Sequence, residues 1–444
     1  MQSFDGTGQV PRPIRKCVLL LALAAGFAAP ALAQTDAARI TELERQLERS
    51  LQLIERLNAR VQQLEADRAA VGTPSAGAVL PERRSPPIAE AAAAAAALPA
   101  TAPAPAAAGL VLHGFADVGF VGGSKSRPAG AQVGSLDLYM TPSFGERGRG
   151  LVELVFEVGS DGALTADLER LQIGYAFSDA LTLWAGRFHT PFGTWNTAFH
   201  HGQQIQTAIT RPRFLAFEDA GGVLPVHTVG AWGSGAVKLP AGRVSYDLYA
   251  GNAPSIAIDD AGRAGSGVLD VGMGGTRTHS ATLGGNLALA FGGALNGLTV
   301  GLHALRSTVA DTLALPHRSR VAMAGAWLTY LDDDWELLAE LYAFRNRELG
   351  AAPGARSSRA HYLQLGRALA AWTPFARIER AALDQADPYF AQQASGASYS
   401  RHVLGLRYEL TPTMALKVEG NRSRFQDRGL SGYAELRSQL AVRF

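Results

Sequence analysis

The sequence predicts an all-β protein: a transmembrane antiparallel β-barrel of about sixteen strands, preceded by an N-terminal coiled-coil helix. Three observations predict it. From Gly109 to the C-terminus, apolar and polar residues alternate with a period of two over many short segments. The connections between these segments alternate between long and short. After the first 33 residues, no stretch is apolar over the roughly 18 residues that a transmembrane helix requires.

The composition excludes several classes of protein. The chain has 41 basic and 39 acidic residues, and this balance argues against a nucleic-acid partner. Its apolar content of 47% argues against a disordered chain. Its single cysteine, Cys17, cannot form an intrachain disulfide or a multi-cysteine zinc site.

Residues 1–33 have the features of a secretory signal peptide. Arg12, Arg15 and Lys16 precede an apolar run over residues 17–29, and the small-residue sequence 31–33 follows. A membrane anchor is the alternative, but the run is shorter than the roughly 20 residues that a helical span needs. We therefore expect cleavage after residue 33 and export, either to the periplasm, out of the cell, or into the outer membrane.

Residues 34–70 predict a coiled coil. Positions at alternating steps of three and four form an apolar seam that only Ser50 interrupts: Ile40, Leu43, Leu47, Ser50, Ile54, Leu57, Val61 and Leu64. Charged residues occupy the other faces, which favours self-association over a single amphipathic helix packed on a domain. Residues 71–108 are rich in alanine and proline, and they predict a semi-extended linker without a core.

Residues 109–444 form the predicted barrel, and the C-terminus shows its pattern most clearly. One face carries Ala434, Leu436, Leu440, Val442 and Phe444, and the other carries Glu435, Arg437, Gln439 and Arg443. A strand with lipid outside and water inside requires this alternation. A soluble β-sandwich also alternates, so the periodicity alone does not decide between the two folds.

The connections decide between them. We expect strands to begin near residues 110, 133, 150, 166, 181, 228, 242, 279, 297, 319, 335, 360, 372, 399, 414 and 432. Connections from odd to even strands are mostly long and polar, and the others are mostly short turns, as expected when one rim faces outside and the other the periplasm. Aromatic residues beside the short turns predict a periplasmic girdle: Phe177, Tyr330, Trp335, Trp372 and Phe444.

These features together resemble a known family. The signal peptide, coiled coil, barrel size and terminal phenylalanine resemble trimeric sixteen-stranded outer-membrane porins. The stretch 184–188, followed by 190–193, resembles the phosphate-selective porin O/P group. The resemblance implies a homotrimer in the outer membrane, with lipids and small solutes as its partners and the coiled coil in the periplasm. The barrel has only Lys125, Lys238 and Lys417 as lysines, so the lysine ring of that group is not predicted.

The connection 189–227 is by far the longest, and it corresponds to the loop that folds into the lumen in porins. The predicted constriction and selectivity residues are Arg187, Arg211, Arg213, Glu218 and Asp219. We expect guanidiniums and carboxylates to face each other across the pore. The alternative is an external loop with solvated charges, but apolar residues such as Phe214 and Leu215 would be unusual in such a loop.

Other charged residues fall on the predicted inner face. They are Glu153, Glu157, Arg170, Arg401, Arg407, Lys417, Glu419 and Arg437. The simplest interpretation is that they pair across neighbouring strands and keep the lumen wet. From Gly109 onward the chain has 30 basic and 29 acidic residues, so we expect at most a mild preference for anions.

Signals for catalysis or cofactors are weak, and we predict no enzyme activity, no cofactor and no metal. His200 and His201 are adjacent, so they would point to opposite faces of a strand and could not share a metal ion. The glycine-rich stretch 272–275 lacks the helix that a nucleotide loop requires, and the chain has no G-x-S-x-G motif. The sequence therefore predicts a passive channel for small hydrophilic solutes. A structural tether toward the cell wall and an outer-membrane hydrolase remain alternatives.

Overall fold

The computed structural model describes most of the chain from Leu112 onward. The described ranges are 112–123, 129–158, 162–199, 202–218, 222–259, 261–263, 265–276, 279–350 and 354–444. The predicted signal peptide, coiled coil and linker lie outside the described residues. Within the described ranges, no helix is long and apolar enough to cross a membrane.

Within the described ranges, sixteen long strands and three short ones make up one sheet. The long strands are β1 (Leu112–Gly123), β2 (Gly130–Met140), β4 (Gly148–Val158), β5 (Leu164–Ser178), β6 (Leu181–His189), β7 (His227–Leu239), β8 (Gly242–Asn252), β11 (Ala281–Phe291), β12 (Leu298–Asp311), β13 (Arg318–Leu331), β14 (Trp335–Leu349), β15 (Ala355–Arg367), β16 (Trp372–Ala382), β17 (Tyr399–Thr411), β18 (Met414–Phe425) and β19 (Tyr433–Arg443). The short strands are β3 (Ser143–Phe144), β9 (Ser255–Ala257) and β10 (Val268–Asp270). Single helical turns occur at α1 (Trp195–Ala198) and α2 (Pro388–Ala391), with 3-10 turns at Arg213–Leu215 and Gly293–Leu295.

The long strands close into a barrel. Each pairs antiparallel with the next, and β19 pairs with β1 from Arg443 opposite Phe115 to Glu435 opposite Gly123. Beyond this ladder, Gly114 and Phe444 exchange two backbone hydrogen bonds of 3.0 Å each. The predicted sixteen-stranded antiparallel barrel is therefore confirmed.

The two faces of the strands differ as the period of two requires. On β5, the outward Leu171, Ile173 and Tyr175 are exposed, whereas the intervening Gln172 is buried. Similar apolar rows cover the outside of most other strands. A continuous apolar surface of this size is typical of a barrel surrounded by lipid.

Aromatic residues mark the edge of the barrel that carries the short turns. Trp335, Trp372 and Phe444 are exposed on the outer surface there. The ring of Trp372 packs against Tyr408 at 4.3 Å between centroids, and the guanidinium of Arg367 lies 5.0 Å from the centre of the Trp335 ring. This arrangement is typical of a girdle at a membrane interface.

Two long connections differ from the sequence expectation. Strand β15 begins at Ala355, five residues before the expected start near 360, because its first residues are polar and show no apolar alternation. The connection between β8 and β11 contains β9 and β10, which pair with each other. Strand β9 also adds in parallel to the end of β12, at Ala310 and Asp311.

Candidate pore constriction

The inner wall of the barrel is rich in charged and aromatic side chains. All eight predicted lumen residues lie on it: Glu153, Glu157, Arg170, Arg401, Arg407, Lys417, Glu419 and Arg437. However, the side chains of Lys417 and Glu419 are completely buried. A wall that is open to water would leave them exposed, so another part of the chain covers them. That part is the connection 189–227.

The chain turns inward directly after β6, at a corner that requires glycine. Gly193 has a φ of 60°, and a Cβ atom built on it would lie 1.9 Å from Oε2 of Glu340. The backbone N–H of Gly193 donates a hydrogen bond of 2.9 Å to Nδ1 of His303. Because His303 is on β12 and Glu340 is on β14, this corner already lies against the inner wall.

Glu340 anchors the first part of the connection. Its Oε1 accepts hydrogen bonds from the backbone of Trp195 at 2.7 Å and of Thr194 at 3.2 Å. The same carboxylate accepts from the hydroxyls of Tyr362 at 2.8 Å and of Tyr342 at 2.5 Å. The Trp195 ring is fully buried and meets Tyr362 edge-to-face at 5.7 Å. A buried carboxyl group and an aromatic cluster therefore fix α1 to β14 and β15.

The middle of the connection reaches the opposite end of the barrel. Lys417 donates to the carbonyl of Gln203, and Arg407 donates to that of Gln206 at 3.0 Å. The side-chain amide of Gln204 donates to the carbonyl of Pro412 at 3.3 Å. Because Pro412 lies in a short turn, the connection extends through the barrel to the edge that carries the short turns.

The returning arm is held by the same kinds of contact. Glu419 accepts from the backbone N–H groups of Ile209 at 2.8 Å and of Thr210 at 3.1 Å. Glu379 accepts from the backbone of Arg213 at 2.8 Å. Carboxylates of the wall thus bind amides of the loop, and cations of the wall bind its carbonyls. These contacts compensate the burial of charge on the wall.

The two predicted constriction arginines occupy different environments. Arg211 lies within the connection, where Nε donates to the carbonyl of Leu215 at 2.8 Å and Nη2 donates to Oδ1 of Asn196 at 3.1 Å. The guanidinium of Arg213 instead points away from the connection, 5.0 Å from the centre of the Phe425 ring and 3.5 Å from the hydroxyl of Tyr433. Arg211 therefore joins the two arms of the loop, and Arg213 faces the wall at β18 and β19.

Glu218 does not face these arginines across a passage, although its charge still acts on the buried Arg211. Glu218 accepts from the backbone of His227 at 2.8 Å, and its Oε2 lies 3.0 Å from Nδ1 of the same residue. Nε2 of His227 lies 2.6 Å from Glu169, which also lies 3.4 Å from Nη2 of Arg187. Arg187 and Glu218 thus belong to one charged network at the base of the loop. Asp219 lies outside the described residues.

Part of the wall beyond the loop keeps access to solvent. Arg170 on β5 pairs with Glu153 across the β4–β5 ladder, and 17% of its side chain is exposed. Arg437 on β19 pairs with Glu435 at 3.1 Å and is 27% exposed. Together with Arg213 on the loop, these side chains mark the candidate constriction, between the loop and the wall formed by β19 and β1–β5.

Sequence reasoning missed the residues that anchor the loop. Glu336, Glu340 and Glu379 are inward-facing carboxylates that bind it, and Glu336 accepts from the hydroxyl of Thr207 at 2.6 Å. One signal was available, because the inner face of β14 also carries Tyr342 and Phe344. Large apolar groups on a lumen face require something to pack against them.

The described residues show no metal site. Among them, no group of three or more histidine, cysteine, aspartate or glutamate side chains is arranged to hold an ion. His200 and His201 lie outside the described residues. The absence of a metal site therefore remains a prediction.

The barrel is similar in fold to solved outer-membrane proteins. An anion-selective porin from Comamonas acidovorans superposes with a TM-score of 0.51 at 13% sequence identity, over 76% of this chain and 99% of that chain. The outer-membrane channel DcaP of Acinetobacter baumannii gives a TM-score of 0.48 at 14% identity, over 78% of this chain and 99% of that chain. No protein-family model matches the sequence, and no curated protein matches it. At 13% identity, the similarity to the porin from Comamonas acidovorans shows the fold alone.

Proposed function

We propose that the protein is an outer-membrane porin, a passive diffusion channel for small hydrophilic solutes. One observation carries the proposal. A closed sixteen-stranded barrel with an apolar outer surface holds a long connection inside it, bound to the wall through Glu336, Glu340, Glu379 and Glu419. A segment fixed in this way narrows a lumen to a defined width, which is how a channel selects by size.

The size of the barrel supports a water-filled path. Side chains fill the interior of eight-stranded barrels, whereas barrels of 16–18 strands leave room for an aqueous channel. The loop covers the wall at β14–β18. On the other side, the inward side chains of Arg170 and Arg437 keep 17% and 27% exposure, so solvent reaches the wall there. We therefore place the path between the loop and the uncovered part of the wall.

We propose a mild preference for anions. Arg170 and Arg437 are each paired with a carboxylate, so they contribute little net charge to the path. No ion pair to Arg213 occurs within the described part of the chain. Charges in a narrow passage interact through a lower effective dielectric than in bulk water, so the single guanidinium of Arg213 should attract anions. The neighbour from Comamonas acidovorans is described as anion-selective, which agrees with this direction.

Phosphate specificity is not part of the proposal. Of the three lysines in the barrel region, Lys417 is buried beneath the carbonyl of Gln203 and is unavailable to a solute. The O/P-like stretch 184–193 has a different role in this geometry, because it forms the end of β6 and the corner that turns the chain inward. The resemblance to that porin group remains a proposal.

We also propose a homotrimer. The outward face of β5 is apolar from Leu171 to Phe177, and β4 presents Val152, Leu154 and Phe156 on the same side. Trimer formation would bury part of this surface, with the predicted coiled coil adding contacts in the periplasm. The short heptad seam needs such support, since isolated helices of this length are marginally stable.

A planar-bilayer recording tests the channel. Purified, folded protein should give discrete conductance steps, and deleting residues 203–209 should enlarge each step because this segment spans the lumen. A deletion of residues 313–315, an exposed segment between β12 and β13, serves as the control and should leave the step size unchanged. Folded wild-type protein that carries no current would contradict the proposal and favour the structural tether.

A further inference from the structure

The outer surface of the barrel carries a belt of arginines near the rim with the long connections. Outward positions at the ends of four adjacent strands are occupied by Arg318, Arg320, Arg345, Arg347, Arg359 and Arg380. All six are exposed. We call this group the arginine belt. Arg422 and Arg424 continue it on β18.

The belt lies at the upper edge of the apolar band. On β14, the outward residues from Trp335 to Ala343 are apolar, and Arg345 follows ten positions after Trp335. On β13, Arg320 stands ten positions from Tyr330 in the same way. Ten residues span ~33 Å along a strand, and a tilt of about 40° reduces this to ~25 Å along the membrane normal. That is the height of the apolar band of an outer-membrane barrel.

The strand register brings like charges together. Arg320 stands directly opposite Arg347 in the β13–β14 ladder. Like charges in directly opposed positions destabilise a sheet. A sequence under no other constraint would place a carboxylate at one of these two positions, so the pair indicates a negatively charged partner from outside the chain.

The described residues supply no such partner. Within the described strands β12–β18, the outward face carries no aspartate or glutamate. The carboxylates at the nearby rim have other contacts. Glu348 lies 2.9 Å from Nδ1 of His317, and Asp384 lies 3.7 Å from Nη1 of Arg356. The belt therefore presents its guanidiniums to whatever surrounds the barrel at this height.

We infer that the arginine belt binds the phosphate groups of a phosphorylated glycolipid in the outer leaflet of the membrane. Guanidiniums bind phosphate through paired, charge-assisted hydrogen bonds, and the belt lies where lipid headgroups begin. A lipid held by its acyl chains on the apolar band would present its phosphates to several arginines at once. The inference uses the membrane location proposed above, but it does not depend on a conducting lumen.

The test measures binding of lipopolysaccharide to folded protein in a neutral detergent, by native mass spectrometry. The wild type should bind lipopolysaccharide with intact lipid phosphates. The triple variant R320Q/R345Q/R347Q should bind it roughly a hundredfold more weakly, because each arginine contributes a factor of about five to the affinity. The control R367Q removes an arginine from the same outer face at the opposite edge, and its binding should be unchanged.

Two further binding measurements identify the ligand. Dephosphorylated lipopolysaccharide should bind the wild type at least a hundredfold more weakly than the intact lipid does, a comparison that needs no variant to fold. Inorganic phosphate at the same phosphate concentration should not compete. Equal binding of intact and dephosphorylated lipid, equal binding by wild type and folded variant, or displacement by inorganic phosphate would each overturn the inference. Conductance of the triple variant should match the wild type, which separates this test from that of the channel.

Discussion

Removing the carboxylate of Glu340 should release the first arm of the loop. This group accepts hydrogen bonds from the backbone of Thr194 and Trp195, and it is fully enclosed by Tyr342 and Tyr362. The substitution Glu340→Ala leaves two backbone N–H groups of the loop without their acceptor. A buried N–H group left without its acceptor costs about 1–3 kcal/mol, so the attachment of this arm should weaken by about 2–6 kcal/mol.

This magnitude sets the expected change in the channel. A loss of about 2–6 kcal/mol raises the population of the detached arm by roughly thirtyfold to ten-thousandfold. Glu336, Glu379 and Glu419 still hold the rest of the loop, so the lumen should widen without emptying. We expect larger single-channel conductance and more current noise, measured in planar bilayers.

Two variants serve as controls for this prediction. Glu340→Gln keeps an acceptor oxygen for the loop amides and should produce a smaller change. Glu348→Ala removes a rim carboxylate whose described contact is with His317, and it should leave conductance unchanged. The reasoning would be refuted if Glu340→Ala, folded and heat-modifiable on gels, kept the conductance and noise of the wild type.

Three further predictions concern closure, selectivity and assembly. Deleting Phe444 removes the two backbone hydrogen bonds that it exchanges with Gly114 of β1, so heat-modifiable folded protein should form more slowly; an unchanged folding rate would contradict this role of the C-terminal residue. Arg213→Gln should shift the reversal potential toward cations, an effect that shrinks as screening shortens to roughly 3 Å at 1 M salt. Arg211→Gln should instead change the current noise and leave selectivity unchanged. The opposite result would mean that Arg211 sets selectivity and Arg213 holds the loop. Replacing Leu47 and Ile54 with glutamate should weaken the trimer in crosslinking without unfolding the barrel, whereas a wild type that crosslinks only as a monomer would exclude the trimer.

The selectivity experiment depends on a distinction that the sequence does not contain. Arg211 and Arg213 are two positions apart in a segment without regular alternation, and both were assigned to the constriction. In the fold, the chain turns between them, so that Arg211 bonds within the loop and Arg213 contacts the wall. In an irregular segment, the spacing of two residues in the sequence does not fix the relative direction of their side chains, because no repeating hydrogen-bond pattern orients the backbone.

The sequence by itself determined the barrel, a strand number of about sixteen and the direction of its side chains. Side chains of a strand alternate strictly, and lipid tolerates only apolar groups, so residues such as Leu404 and Leu406 had to face outward and Arg407 inward. Long and short connections alternate along the chain, and this alternation predicted which connections lie at each rim of the barrel. These are local properties, because each is set within one strand or one connection.

Only the tertiary structure decided what covers the wall and which charges stand together. Glu340 and Trp195 are 145 positions apart, and nothing in the pattern of either segment specifies their contact. Likewise, the alternation places Arg320 and Arg347 outward, but only the register of β13 against β14 sets them opposite each other. Such contacts arise when the barrel closes and the loop folds into it. They depend on the joint geometry of distant segments, which a period of two within each strand does not encode.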